Sequence, residues 1–231
     1  MLKTECPVLS EADFNNIAIE IQKRHRTQTV DTILQLRLDY AYDNHSRRMF
    51  QDPISVWDAI MSLAFVNDPT DKQLKAISQL THTIQVVDSM HRHGVTDEEF
   101  FIAAWLHDLG KILLNGTEDP ANIVCLNIVI EGEPKAGLDN CICTWNHDDY
   151  AFQKFQNLVP EHIAWLLRYH SLNLKEVEPY LNHSDNSRVH DLLIPFSKHD
   201  KLSKSLYHFP KINLDWHRRI IEKHLPEKVI L

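Results

Sequence analysis

Glycine is scarce in this chain, with five residues in 231, which argues against a protein built from tight hairpins and for a helical one. Cysteine is scarce too. Cys6, Cys125, Cys141 and Cys143 form no CxxC pair and no evenly spaced framework for bridges, so the thiols are read as reduced. No apolar run reaches the roughly 18 residues of a membrane-spanning helix. The opening MLKTECPVLSEADF has neither the apolar core of a secretory signal nor an arginine-rich amphipathic pattern, and a cytoplasmic location is expected. Positive charge is not gathered anywhere: the 24 Lys and Arg are spread along a chain of net charge −8, which argues against nucleic acid as a partner. Repeats, low-complexity segments and Gly/Ser linkers are missing as well, so residues 1–231 are expected to form one domain.

What the sequence does have is helical periodicity and histidine, 15 residues of it. Apolar residues recur at three- and four-residue intervals in Phe14 to Tyr42, Ser55 to Phe65, Ala76 to Met90 and Glu98 to Leu114. They do so again in Ala151 to Leu158, Pro160 to His170, His190 to Leu206 and Asn213 to Leu225. The fold class expected is therefore all-α. Only Asn122 to Ile130, rich in β-branched residues, reads as a short strand or extended loop. Thr96 and Glu99 have the spacing of a capping box, which would start the helix that runs to Leu114. That helix is apolar nearly all round until His107, so it belongs in the interior, and a buried imidazole beside the Asp108 carboxylate calls for partners.

Further histidines and an aspartate lie in similar apolar helical settings: His82, His147, His170 and Asp200. Singly, each is more often a satisfied core or surface residue than a ligand. Together with His107 and Asp108 they make a set of metal ligands on separate helices. Adjacent helix positions point about 100° apart, so His107 and Asp108 do not aim along one direction, but a carboxylate has two oxygens. Asp108 is then the natural bridge between two ions, one taking His82, His107 and Asp200, the other His147 and His170, with open positions for substrate at the second. Imidazole and carboxylate without thiolate suit iron, manganese or zinc. Lys111 and Lys204 each follow a proposed ligand by one turn; they either orient a polar substrate or reach out to solvent. Ser171, beside His170, is a candidate substrate hydrogen-bond partner. His199, His183 and the HRH of 91 to 93 read as surface residues, as do most of the remaining histidines.

These stretches resemble a known family. HDLGK after an upstream histidine resembles the HD-domain superfamily, and RTQTVDTILQLRLDY, ISVWDAIMSLAFVNDPTD, WLHDLGKIL, GLDNCICTWNHDDY, LLRYHSL, KHDKLSKS and IIEKHLPEKVIL are similar, in order, to myo-inositol oxygenase. The resemblance runs from about Arg26 to the C-terminus and leaves residues 1–25 as a divergent segment. It implies an HD-domain helical bundle around a dinuclear site and two irons in a mixed-valent Fe(II)/Fe(III) state. It further implies O2 as co-substrate, cleavage of a ring C–C bond of myo-inositol to D-glucuronate, and a monomer acting on a small polyol. His82, His107, Asp108, His147, His170 and Asp200 match the family's metal positions. Lys111, Ser171 and Lys204 match its substrate contacts, with Lys111 and Asp108 as the catalytic pair.

The departures all fall on the substrate side. The family's FRNY-like segment, which supplies an arginine, is not recognisable before Arg24; its GDTFPVG stretch is replaced by CLNIVIEG. Its DESDPD segment is reduced to NDPTD, in which Asp68 and Asp71 are read as substrate-side residues. The expectation is thus a di-iron oxygenase for myo-inositol or a related polyol. The alternatives are the same chemistry on a hydroxyphosphonate, a metal-dependent HD phosphohydrolase, and a helical scaffold that retains a structural metal.

Overall fold

The structure, a computed structural model, describes residues 11–41, 44, 47–72, 74 and 76–231. Cys6 and Tyr42 lie outside the described residues. Helix dominates, as the periodicity predicts, and the described strands are two short antiparallel pairs: β1 (Ile54–Ser55) with β4 (Lys228–Val229), and β2 (Val129–Glu131) with β3 (Ile142–Cys143). The second pair is where the NIVCLNIVI stretch becomes extended. Among the described residues no helix is long and apolar enough to cross a membrane, and Cys125, Cys141 and Cys143 are unbridged.

The first helical stretch is two helices. Helix α1 (Glu11–His25) ends at a turn, and Thr29 caps α2 (Val30–Asp39) by accepting a hydrogen bond from the Thr32 amide. Within that turn Gln28 is buried. Its side-chain amide donates to the Trp145 carbonyl (3.0 Å) and accepts from the Trp145 amide (2.8 Å), tying the N-terminal helices to the segment that enters the site.

Helix α4 (Gln79–Arg92), itself packed on α3 (Val56–Ser62), flanks the central helix α5, which spans Glu98–Leu106 and is buried from Phe101 onward. Its cap is Asp97, whose carboxylate accepts from the Glu99 amide at 2.9 Å; the Thr96–Glu99 capping box is not formed. An ionised cap one residue later takes the first-turn donor and leaves Thr96 outside the helix. Nor does α5 run on to Leu114. It stops at Leu106, and Leu109–Asn115 is wound as a 3-10 helix.

Helix α6 (His147–Phe155) packs against α7 (Glu161–Tyr169). A short α8 (Leu174–Val177) leads to α9 (His183–Arg188), a π-helical turn Val189–Leu193 and α10 (Ile194–Ser203). The wide turn comes just before Pro195, which has no N–H to give and whose ring would crowd an ordinary turn. Helix α11 (Leu214–His224) closes over α3 and α5.

Candidate metal centre

Five elements bring the ligand set together: α4 supplies His82, the break after α5 supplies His107 and Asp108, α6 supplies His147, the end of α7 supplies His170, and α10 supplies Asp200. The four imidazoles and Asp108 are buried. Ligand atoms of His82, His107 and Asp108 lie within 4.8 Å of one another, as do those of Asp108, His147 and His170. Asp108 is common to both groups. Its Oδ2 is 3.3 Å from His107 Nε2 and 3.7 Å from His82 Nε2, while its Oδ1 is 3.1 Å from His147 Nε2 and 3.7 Å from His170 Nε2. Asp200 Oδ1 is 2.9 Å from His82 Nε2. Two ligand atoms each about 2.1 Å from an ion, at right angles, lie about 3 Å apart, so these separations are those of neighbours on one coordination sphere.

Ring orientation points the same way. Nδ1 donates to a backbone carbonyl in three of the four histidines: His107 to Ala104 (2.8 Å), His147 to Ile123 (2.6 Å) and His170 to Leu167 (3.1 Å). That bond sets the tautomer and leaves the Nε2 lone pair inward, the usual arrangement of a metal-binding imidazole. The Nε2 atoms of His107 and His147 are buried without a hydrogen-bond partner, an expensive vacancy for a polar atom unless a cation fills it. Burial would raise the Asp108 carboxyl, but Lys111 and His107 hold it well below the usual carboxylate range. Burial would likewise depress His170, yet Asp148, Asp108 and Asp200 push it up to about 9. A cluster this acidic draws positive charge to itself, and the residues present fit a pair of metal ions.

The lysines are placed differently from a simple helical projection. Because Leu109–Asn115 is a 3-10 helix with three residues per turn, Lys111 shares a face with Asp108 rather than with His107. Its Nζ is 3.0 Å from Asp108 Oδ1, 3.1 Å from Asp68 Oδ2 and 3.2 Å from Gln79 Oε1. Desolvation opposes its charge, but Asp108 and Asp68 raise its pKa, so Lys111 is a fixed cation. Lys204 follows the last residue of α10 and bonds Asp71 at 2.6 Å. Asp68 in turn accepts from the Thr70 amide and hydroxyl. Ser171 lines the same cleft, but its hydroxyl and amide both donate to Asp148, at 3.1 and 3.0 Å.

Sequence reasoning passes over several residues here. Asp148 is buried with its Oδ1 3.0 Å from His147 Nε2, adding a carboxylate to the side read as short of ligands; the NHDDY stretch contains it but does not say which way it faces. Asn146 caps α6 by accepting from the Asp148 amide and donates to the Cys125 carbonyl at 2.7 Å. His25 and His217 are buried rather than on the surface, and His199 is partly buried with Nδ1 3.1 Å from Ser89 Oγ. His183 and His91 to His93 are exposed as expected. Above the cluster opens a cleft of about 380 Å³, a size that suits a small molecule.

Comparison of the chain with protein-family models matches Myo-inositol oxygenase over residues 15–130 and 126–231. The chain is similar to Inositol oxygenase 1 of Arabidopsis thaliana, 23% identical with 89% of this chain and 76% of the relative covered. It is also similar to Inositol oxygenase 2 of the same plant, 26% identical over 89% and 75%. Inositol oxygenase of Danio rerio is 23% identical, with 97% of this chain and 92% of the relative covered.

Proposed function

Because the chain belongs to the myo-inositol oxygenase family, we propose that it is an oxygenase that uses O2 to cleave a ring C–C bond of myo-inositol, giving D-glucuronate, or acts in the same way on a related polyol. The observation that carries this reading is the shared carboxylate: one buried Asp108 lies between two pairs of inward-facing imidazoles. His82, His107, Asp200 and one Asp108 oxygen would hold one iron, and His147, His170 and the other Asp108 oxygen the second, with mixed-valent Fe(II)/Fe(III) as the active state. Such a pair supplies the one-electron chemistry that lets O2 react with an alcohol.

The chain's own part is orientation and charge. Lys111 Nζ, fixed by Asp68 and Gln79, turns to a substrate hydroxyl the N–H that it otherwise gives Asp108, and stabilises that oxygen as it loses its proton. Preorganised donors of this kind act without rearranging during the reaction. Lys204 and Asp71 pair at the cleft wall and supply a donor and an acceptor for a second hydroxyl. Burial of the ligands keeps bulk water from competing.

The test is aerobic turnover of iron-reconstituted, partly reduced protein with myo-inositol, followed by nuclear magnetic resonance. D-glucuronate is the expected product. No product while the mixed-valent paramagnetic signal is present would overturn myo-inositol as substrate; a protein with neither signal nor product would overturn the oxygenase reading.

A further inference from the structure

The acids of the cleft are all engaged. Asp68 is bound to Lys111 and Thr70, Asp71 to Lys204, Asp200 to His82, and Asp108 to the imidazoles and Lys111. Two of its cations are not. Lys72 and Lys201 line the cleft and are exposed, so they stand at its mouth, and neither has a carboxylate partner among the described residues. The Asp71–Lys204 ion pair ties together the two segments that carry them: Lys72 follows Asp71 directly, and Lys201 lies three residues before Lys204. Arg26 is a further cation of the lining, paired with Glu176 at 2.9 Å. In a chain of net charge −8, a mouth with uncompensated lysines is a local feature that composition does not produce, and it concentrates anions.

Another part of the lining is apolar. Val124, Cys125, Leu126, Ile128 and Leu172 form it, held together where Asn127 bridges to Leu172. The backbone there is largely covered as well: the Cys125 carbonyl accepts from Asn146, and the Val124 and Leu126 carbonyls lie 2.9 Å from Thr70 Oγ1 and 3.1 Å from His25 Nε2. C–H groups of a substrate suit this wall, because hydroxyls turned toward it lose water and gain few partners.

We propose that the substrate of this cleft is an anionic hydroxylated compound: its reacting hydroxyls lie at the buried cluster, C–H groups lie along Val124 to Ile128, and a phosphate, phosphonate or carboxylate group lies at the mouth beside Lys72 and Lys201. The inference rests on reading the cleft as the substrate site, and it narrows the substrate within that reading.

Anaerobic calorimetric titration of the iron-loaded protein tests it with four probes: myo-inositol, an inositol monophosphate, a hydroxyalkylphosphonate and a hydroxyalkanoate. At least one anionic probe is expected to bind tenfold or more tightly than myo-inositol at low salt, with the advantage shrinking as salt is raised. In the double variant Lys72→Gln, Lys201→Gln the ratio of anionic to neutral affinity should fall toward one. Which anionic probe leads distinguishes the three headgroups. Equal binding of myo-inositol and every anion overturns the proposal, as does a preference that survives the double variant. Aerobic turnover is read separately: a lysine-dependent anion preference without any O2-dependent product overturns the oxygenase reading and leaves this inference standing.

Discussion

Asp108 has two oxygens and a different pair of imidazoles beside each, so its removal is not equivalent to the loss of one ligand. Asp108→Ala is expected to lose both irons; two retained equivalents by metal analysis would refute the bridge. Lys111 is a second test of placement, because Asp68 and Gln79, which are outside the candidate ligand set, hold its ammonium along with Asp108. Lys111→Ala should keep the metal and lower kcat/KM by roughly 10²-fold, as loss of one preorganised donor does; an unchanged value would remove Lys111 from the reaction. A third residue acts far from the substrate. His217 is buried among Phe101, Trp105 and Trp216, and burial, with the nearby His91, lowers its pKa to about 4 from 6.5. The unfolded chain therefore takes this proton first as pH falls, so the His217 contribution is whole above about pH 6.5 and is lost progressively down to about pH 4. Melting temperatures at pH 7 and pH 5 should differ less in His217→Gln than in the parent, and an equal difference would exclude His217 as the titrating group.

At the scale of elements, the site depends on a close approach between the 3-10 segment and α6. A Cβ on Gly110 would lie 2.2 Å from the His147 carbonyl oxygen and 2.8 Å from its Cα, and backbone on that side cannot swing away as a side chain could. Gly110→Ala should cost about 1–3 kcal/mol, the usual range for overpacking, and should weaken iron binding at His147 and His170. Denaturant midpoints and metal titration read the two effects. The start of α5 gives a cleaner comparison. Asp97→Ala should destabilise by about 1 kcal/mol through loss of the cap, whereas Thr96→Ala should be nearly neutral; the reverse order would restore the capping box that the sequence suggests.

Across the whole molecule the candidate ligands tie together α4, the α5 break, α6, α7 and α10, elements spread along the chain from Gln79 to Ser203. Two metal ions at their centre would bind the folded chain and not the unfolded one, and so would shift the folding equilibrium. They would also relieve the crowding of buried imidazoles and carboxylates. Chelation is expected to lower the melting temperature, and iron to restore it. A melting temperature indifferent to both would mean that the cluster does not hold metal.

Much of this was legible along the chain. Helices repeat their apolar residues every three or four positions, so α4, α7 and α11 can be read locally, and six polar residues inside apolar helical stretches mark themselves as costly to bury without a cation. The sequence by itself determined the helical class and pointed to the candidate ligand set, because both follow from which residues are placed in which periodic context. What it leaves open are properties that depend on distant partners. The turn at Gln28 is held by Trp145, the 3-10 winding that turns Lys111 toward Asp108 answers to the packing of α6 on Gly110, and Asp148 meets His147 only because Ser171 and Asn127 fix its carboxylate from elsewhere. The free lysines at the cleft mouth are of the same kind: whether a charge is paired is settled by what folds beside it, and only the tertiary structure decided that.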